Sequence, residues 1–315
     1  MFEVTEKNLD DLMRAVVEGL IAEGSPIKPS KGPAREVIGA VLELTDPRAR
    51  LSRSESRSTA FSALGELLWY LSGSDSADAI SYYLKMYKEI AVDGRVEGAY
   101  GPRLQGDSHQ LDDVIELLRT KTDSRQAVLQ VFEHADLKNE RDVPCTCTIQ
   151  FFLRHDQLDA VVYMRSNDAL RGLPHDIFCF TMIQEIVARA VGAEVGRYIH
   201  MVGSLHLYDD TVERAQEFIR EGWQGSAAMP AMPVGDQTEG VGMLLRTERE
   251  LRLGELSAPA ADMMTQIYWS DLAVMLWAFA SSTRGDGDLE AIAAELHDDY
   301  FKIYLTDRQL KVEGR

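Results

Sequence analysis

The chain has 315 residues, 45% hydrophobic and 27% charged, enough apolar material to fill one large domain or two small ones. Its 51 acidic against 33 basic residues leave a net charge of -18, a surface that repels duplex nucleic acid, although a few arginines in a cleft still suit a small anion. No apolar run approaches the ~20 residues of a membrane span, the charged start Met1-Phe2-Glu3-Val4-Thr5-Glu6-Lys7 lacks the apolar centre of a signal peptide, and Cys145, Cys147 and Cys179 form no C-x-x-C pair, so a cytoplasmic protein with reduced thiols is expected.

Residues 8–22 carry Leu9, Leu12, Met13, Val16, Val17, Leu20 and Ile21 at helical spacing, and Gly24-Ser25-Pro26 ends that helix. Residues 25–33 read as a Pro-, Gly- and Lys-rich loop, and 37–44 as a strand closed by Asp46-Pro47. A helix over 58–71 leads to Gly73-Ser74-Asp75-Ser76, where Ser76 caps a second helix running to about residue 90. Strands are expected over 126–132, 148–153 and 157–164, the last two joined by a hairpin at His155-Asp156. A buried helix over 174–191, a strand over 197–203 and a helix over 210–221 follow. The Gly-, Pro- and Met-rich stretch 222–241 reads as an irregular connection. Residues 260–282 and 289–305 read as two helices separated by Arg284-Gly285-Asp286-Gly287. Strands mixed with long helices, without regular alternation, indicate an α+β fold.

Several residues carry possible chemistry. Cys145, in Val143-Pro144-Cys145-Thr146, stands just before a strand and is either a nucleophile or a small apolar core residue. Glu66 lies in the apolar helix segment Gly65-Glu66-Leu67-Leu68-Trp69-Tyr70-Leu71, where a carboxylate is either functional or exposed between two apolar stripes. Further on, Arg165-Ser166-Asn167-Asp168 precedes Gly172-Leu173-Pro174-His175-Asp176, and a guanidinium fork suits phosphate oxygens. His206 and Tyr208 fall on one face of an extended segment. There is no dinucleotide-binding or P-loop glycine pattern, and no His/Cys/Glu cluster has metal-ligand spacing.

These blocks, together with Asp123-Ser124-Arg125 and the segment from Gly203 to His206-Leu207-Tyr208, resemble the thymidylate synthase family, which includes the pyrimidine nucleotide hydroxymethylases. The resemblance runs from about residue 35 to 215. It implies a single catalytic domain over 1–315 with a divergent helical part from about 222. It also implies a mixed sheet packed with long helices, a homodimer formed through a sheet face, and a pyrimidine nucleoside monophosphate with 5,10-methylenetetrahydrofolate as co-substrate. Cys145 would add to C6 of the ring, its thiol pKa lowered by Arg165. Arg165 and Ser166 would hold the nucleotide phosphate, and Arg125 would cross to the partner's phosphate site, although Gln126 stands where the family usually has a second arginine. The resemblance makes Glu66 the organiser of a proton-transfer water network and Tyr100 a helper in proton removal at C5. It places His206 and Tyr208 on the sugar hydroxyl, Asp168 on the folate pterin, and Gly172 near that cofactor.

Asp176 occupies a position where thymidylate synthases carry asparagine. An amide can accept from uracil N3–H and donate to O4, whereas an aspartic acid can accept from the cytosine amino group and share a proton with N3. Aspartate here resembles the cytidylate hydroxymethylases; the plain alternative is a helix-start aspartate favoured by the helix dipole. Residues 82–94 also lack the tryptophans that shield the methylene intermediate in the synthases, with Tyr83, Met86 and Tyr87 the nearest bulky substitutes, and Thr146 replaces a usual histidine. The expectation is a cytidylate 5-hydroxymethylase using CMP or dCMP, with CMP favoured, as in enzymes feeding nucleoside antibiotic pathways. The alternatives are a dUMP-using thymidylate synthase or hydroxymethylase and, from a different class, a non-catalytic nucleotide- or RNA-binding member.

Overall fold

Apolar alternation along the longest strands organises the protein, seen in a computed structural model that describes residues 1–55, 59–106, 108–139 and 141–312. The strands are β1 (Phe2–Glu6), β2 (Ser25–Ile27), β3 (Ala34–Leu44), β4 (Val128–Gln130), β5 (Thr146–Arg154), β6 (Gln157–Asp168) and β7 (Glu194–Tyr208). They form one mixed sheet in the order β1-β3-β7-β6-β5-β4, with β2 beside β3. β6 and β7 run parallel, so that Ser166 pairs with Ser204 and Asp168 with His206 at their C-terminal ends. The expected hairpin joins β5 to β6, and both of its turn residues, His155 and Asp156, take positive φ (51° and 59°), as a tight two-residue turn requires. This α+β architecture agrees with the sequence reading.

Helix α1 (Leu9–Glu23) opens where Asn8 caps it, its side chain accepting from the Asp11 N–H at 2.9 Å. Helix α2 (Ala60–Leu71) begins just after residue 58, the expected start, which lies outside the described residues. The helix expected from Ser76 to about residue 90 is instead two short ones, α3 (Ala77–Ser81) and α4 (Tyr87–Ile90), and the Ser76 side chain makes no capping bond. Tertiary packing explains the break. The Tyr83 ring seats against Gly65, where an added Cβ would come within 2.3 Å of it, and Tyr87 turns its hydroxyl to Glu66. Helices α5 (Gly101–Gln105) and α6 (Gln110–Thr120) follow, and the strand expected over 126–132 shrinks to the three residues of β4.

The long helix α7 (Leu173–Ala190) is buried nearly all round, against β6 and β7 on one side and α2 on the other. Its Glu185 pairs with Arg50, both sealed from solvent, and also accepts from the Met232 N–H at 2.9 Å, which ties the irregular segment after α8 (Val212–Arg220) to the core. A helix absent from the sequence reading, α9 (Thr238–Leu253), follows that segment. The remaining helices are α10 (Ile267–Arg284), α11 (Leu289–Ala293) and α12 (Lys302–Val312). The single helix expected over 289–305 is interrupted because the Asp271 carboxylate accepts from the His297 and Asp298 N–H groups (2.8 and 3.0 Å), holding the chain extended there. Among the described residues no helix is long and apolar enough to cross a membrane.

Candidate active site

Cys145 ends the loop entering β5. Arg165, on neighbouring β6, donates from Nε to the Pro144 carbonyl (2.9 Å) and from Nη2 to the Val143 carbonyl (2.8 Å), which places Nη2 3.8 Å from Cys145 Sγ. Two main-chain carbonyls thus aim the guanidinium at the sulfur. The expected lowering of the thiol pKa is not the outcome: burial pushes the Cys145 thiol up, and Asp176 and Asp142 add to that, against the opposing charges of Arg165 and Lys31. Tyr100 approaches the same loop, accepting from the Thr146 N–H at 3.1 Å, and its ring stacks on Tyr70 with centroids 4.8 Å apart. Burial first, then the charges of Cys145 and Asp176, holds the Tyr100 phenol well above the usual tyrosine range.

Glu66 is 6% exposed, and one oxygen, Oε1, accepts from the hydroxyls of Tyr70 (3.1 Å) and Tyr87 (2.8 Å). A carboxylate inside an apolar helix is kept there by these two donors. Tyr87 and Tyr83, the nearest bulky residues where the synthases carry tryptophans, are turned inward. Tyr87 packs edge-on to Trp69, and the Tyr83 hydroxyl donates to Glu248 of α9 at 3.0 Å. Met86 remains half exposed.

Asp176 lies in the first turn of α7, with Pro174 near the helix start, where its missing N–H costs nothing. Only 9% of it is exposed, and its Oδ2 accepts from Asn167 Nδ2 at 2.7 Å. Burial, and then the charge of Glu66, holds its carboxyl well above the usual carboxylate range, outweighing the Asn167 bond that favours the ion. Asp176 raises the thiol of Cys145 and is itself raised by Glu66, and Cys145 and Asp176 both raise Tyr100, so the carboxylates, the thiol and Tyr100 lie within electrostatic reach of one another.

At the rim, Asp168 Oδ1 accepts from the Leu170 and Arg171 N–H groups, each at 2.8 Å, while its Oδ2 is buried with no hydrogen-bond partner among the described residues. Gly172 donates its N–H to the Asp168 carbonyl, and its open side faces Asn167 and Asp176. Half-buried Ser166 stands on β6 beside Ser204. His206 and Tyr208 end β7 with their rings edge to face, centroids 4.8 Å apart, and Tyr208 feels the charges of Asp168 and Cys145. Arg125 stands apart, exposed in the loop before β4.

Sequence reasoning overlooked Asn167, His200 and Tyr198 as members of this region, and Tyr70 as the second donor to Glu66. Tyr198 and His200, two polar residues at alternate positions on the buried face of β7, were the available signal.

The family model described as thymidylate synthase matches residues 51–239, more than half of the chain. Among curated proteins, thymidylate synthases of Listeria monocytogenes serotype 4a (strain HCC23), Listeria monocytogenes serovar 1/2a (strain ATCC BAA-679 / EGD-e) and Listeria innocua serovar 6a are 34%, 33% and 33% identical over 108 residues. Each match covers 34% of this chain and 34% of the relative, so the chain spans about a third of the length of the curated relatives it matches. Matched by that family model over a span that includes Glu66, Tyr100, Cys145, Arg165 and Asp176, the chain belongs to the thymidylate synthase family.

Proposed function

We propose that the protein is a cytidylate 5-hydroxymethylase, which transfers a one-carbon unit from 5,10-methylenetetrahydrofolate to C5 of CMP or dCMP, with addition of water. The observation that carries this reading is Asp176: a buried carboxyl, held well above the usual carboxylate range, close enough to Cys145 to act on its thiol. A carboxyl whose protonated form is favoured in this way can present a donor and an acceptor together, which suits cytosine N3 and its amino group.

In this reading Cys145 Sγ bonds to C6 and makes C5 a carbon nucleophile, with Arg165 steadying the thiolate as it forms. The folate supplies a carbon at the oxidation level of formaldehyde, so no redox step is needed to reach the hydroxymethyl product. Tyr100 and the Glu66 carboxylate serve the loss of the C5 proton as the transferred carbon parts from the folate nitrogen, releasing tetrahydrofolate; water then adds to that carbon and the sulfur leaves C6. Arg165 and Ser166 address the phosphate, and His206 and Tyr208 the sugar. The unpartnered Asp168 Oδ2 fits a pterin, whose ring N–H groups are donors, and Gly172 lines the same rim. The reading also includes one catalytic domain over the whole chain in a cytoplasmic setting. It further includes a homodimer in which the exposed Arg125 reaches the partner's phosphate site.

Purified protein incubated with CMP, dCMP or dUMP and methylenetetrahydrofolate should add CH2O to a cytosine nucleotide, read by mass. Addition of CH2 to dUMP with formation of dihydrofolate would instead make it a methylating synthase. Cys145→Ala should abolish turnover, and Asp176→Asn should move the preference towards uracil nucleotides by about tenfold or more.

A further inference from the structure

Behind Asp176 runs a file of buried polar groups with no part in the chemistry described so far. The Tyr198 hydroxyl lies 2.7 Å from His200 Nδ1, His200 Nε2 lies 3.1 Å from Asn167 Oδ1, and Asn167 Nδ2 donates to Asp176 Oδ2 at 2.7 Å. Tyr198 and His200 are sealed from solvent and Asn167 nearly so. Polar groups persist in such a place when each donor finds an acceptor. Burial pushes the His200 imidazole down to about 3, so the ring is neutral and has one donor and one acceptor nitrogen. One orientation satisfies every proton: Tyr198 O–H to Nδ1, Nε2–H to Asn167 Oδ1, and Asn167 Nδ2–H to Asp176. The reverse order leaves the Tyr198 hydroxyl proton without an acceptor among the described residues. The file therefore has a direction, and it ends as a donor on Oδ2.

We propose that Tyr198, His200 and Asn167 are positioning residues that fix the donor–acceptor order of the Asp176 carboxyl, and through it the pyrimidine edge that the pocket accepts. The inference rests on the reading of Asp176 as the group facing the base. An unconstrained carboxylic acid is symmetric. By moving its proton from one oxygen to the other it meets the acceptor–donor edge of cytosine and the donor–acceptor edge of uracil equally well. With the Asn167 N–H directed at Oδ2, the proton shared with the ring is held at Oδ1, for which the described residues offer no partner. One edge then fits, and the reversed edge meets donor with donor and acceptor with acceptor. Gly172 keeps the contact open: a Cβ there would stand 3.0 Å from Asn167 Nδ2 and 3.4 Å from Asp176 Oδ2.

The test compares dissociation constants of CMP and UMP by calorimetry in the wild type, Asn167→Ala, His200→Phe and the conservative Tyr198→Phe. The preference between the two bases should fall by about tenfold in Asn167→Ala and His200→Phe, and by a smaller factor of the same sign in Tyr198→Phe. Equal weakening of both nucleotides, with the ratio unchanged, would mean that the file only supports the fold and would overturn the proposal. If the buried variants do not fold, nitrogen NMR of histidine-labelled wild type decides: the Nε2–H tautomer of His200 is expected, and the Nδ1–H tautomer or an imidazolium at neutral pH sinks the directional file. A wild type that prefers UMP, with that preference erased in the variants, would reject the cytosine reading while upholding the file.

Discussion

At the scale of single residues, the thiol of Cys145 is set by a contest between burial and charge. Burial dominates, Asp176 pushes in the same direction, and Arg165 at 3.8 Å and Lys31 oppose them. Cys145 is thus mostly a neutral thiol in the ligand-free protein at neutral pH. Because the thiolate is the reactive form, alkylation of Cys145 by iodoacetamide should be slow at pH 7 and still rising with pH past the ordinary thiol value of 9.0. Arg165→Gln removes a cation and should move the profile to higher pH. At the higher pH where the Asp176 carboxyl is ionised, Asp176→Asn removes an anion and should move it lower. Peptide mapping by mass separates Cys145 from the half-buried Cys147. A profile that levels off below pH 8 would contradict this balance of burial and charge. Arg165 was legible in the sequence as the partner of the cysteine, but the sign of the net effect was not, because burial is a property of the packed loop and not of the residue type.

At the scale of elements, the helix carrying Glu66 depends on a glycine beside it. An added Cβ at Gly65 would fall within 2.3 Å of the Tyr83 ring, so Gly65→Ala should displace that ring, weaken its hydroxyl bond to Glu248 and destabilise the fold by about 1–3 kcal/mol in urea unfolding. An unchanged unfolding midpoint would show that the Tyr83 turn gives way freely. The same contact explains what was readable. Helix α1, the β5–β6 hairpin and helix α7 follow from local signals: a cap, a two-residue turn and a long apolar face. The break between α3 and α4 does not, since nothing local stops a helix there, and the aromatic seats at Gly65 and Glu66 exist only once α2 is packed. Similarly, Asp271 interrupts the helix expected over 289–305 from a position far away in sequence. Helix α9 was passed over because its polar residues mask a short apolar stripe, Met243, Leu244 and Leu251. The file from Tyr198 to Asp176 needs the parallel register of β6 and β7, which no short stretch of sequence encodes.

At the scale of the whole molecule, the sheet has two unlike faces. One is covered by α7, which buries Val162, Met164, Tyr198, His200 and Val202. On the other, Tyr163 and Met201 pair across β6 and β7 and stay 43% and 38% exposed, with Val161 and Ile199 half-buried beside them. Apolar side chains in neighbouring positions on a sheet face are what a second copy of the chain would cover, and the homodimer proposed above uses this face. Arg165 alternates onto the same side as Tyr163, so the proposed dimer surface adjoins the loop that holds Cys145. Two protomers each carrying a charge of -18 repel, so association has to come from apolar contact and should strengthen as salt screens the charges. Met201→Glu places a carboxylate in the centre of that contact and should weaken the dimer by about tenfold or more in sedimentation equilibrium. In the proposed dimer turnover should fall with it, because the role proposed for Arg125 at the partner's phosphate site is then lost. Mixing Arg125→Ala with Cys145→Ala offers the complementary measurement. In a shared dimer one of the two sites combines an intact Cys145 with an intact Arg125 from the other protomer, and activity should return in the mixture. Met201→Glu protein that remains dimeric would place the interface elsewhere, and a mixture without recovery would confine Arg125 to its own protomer.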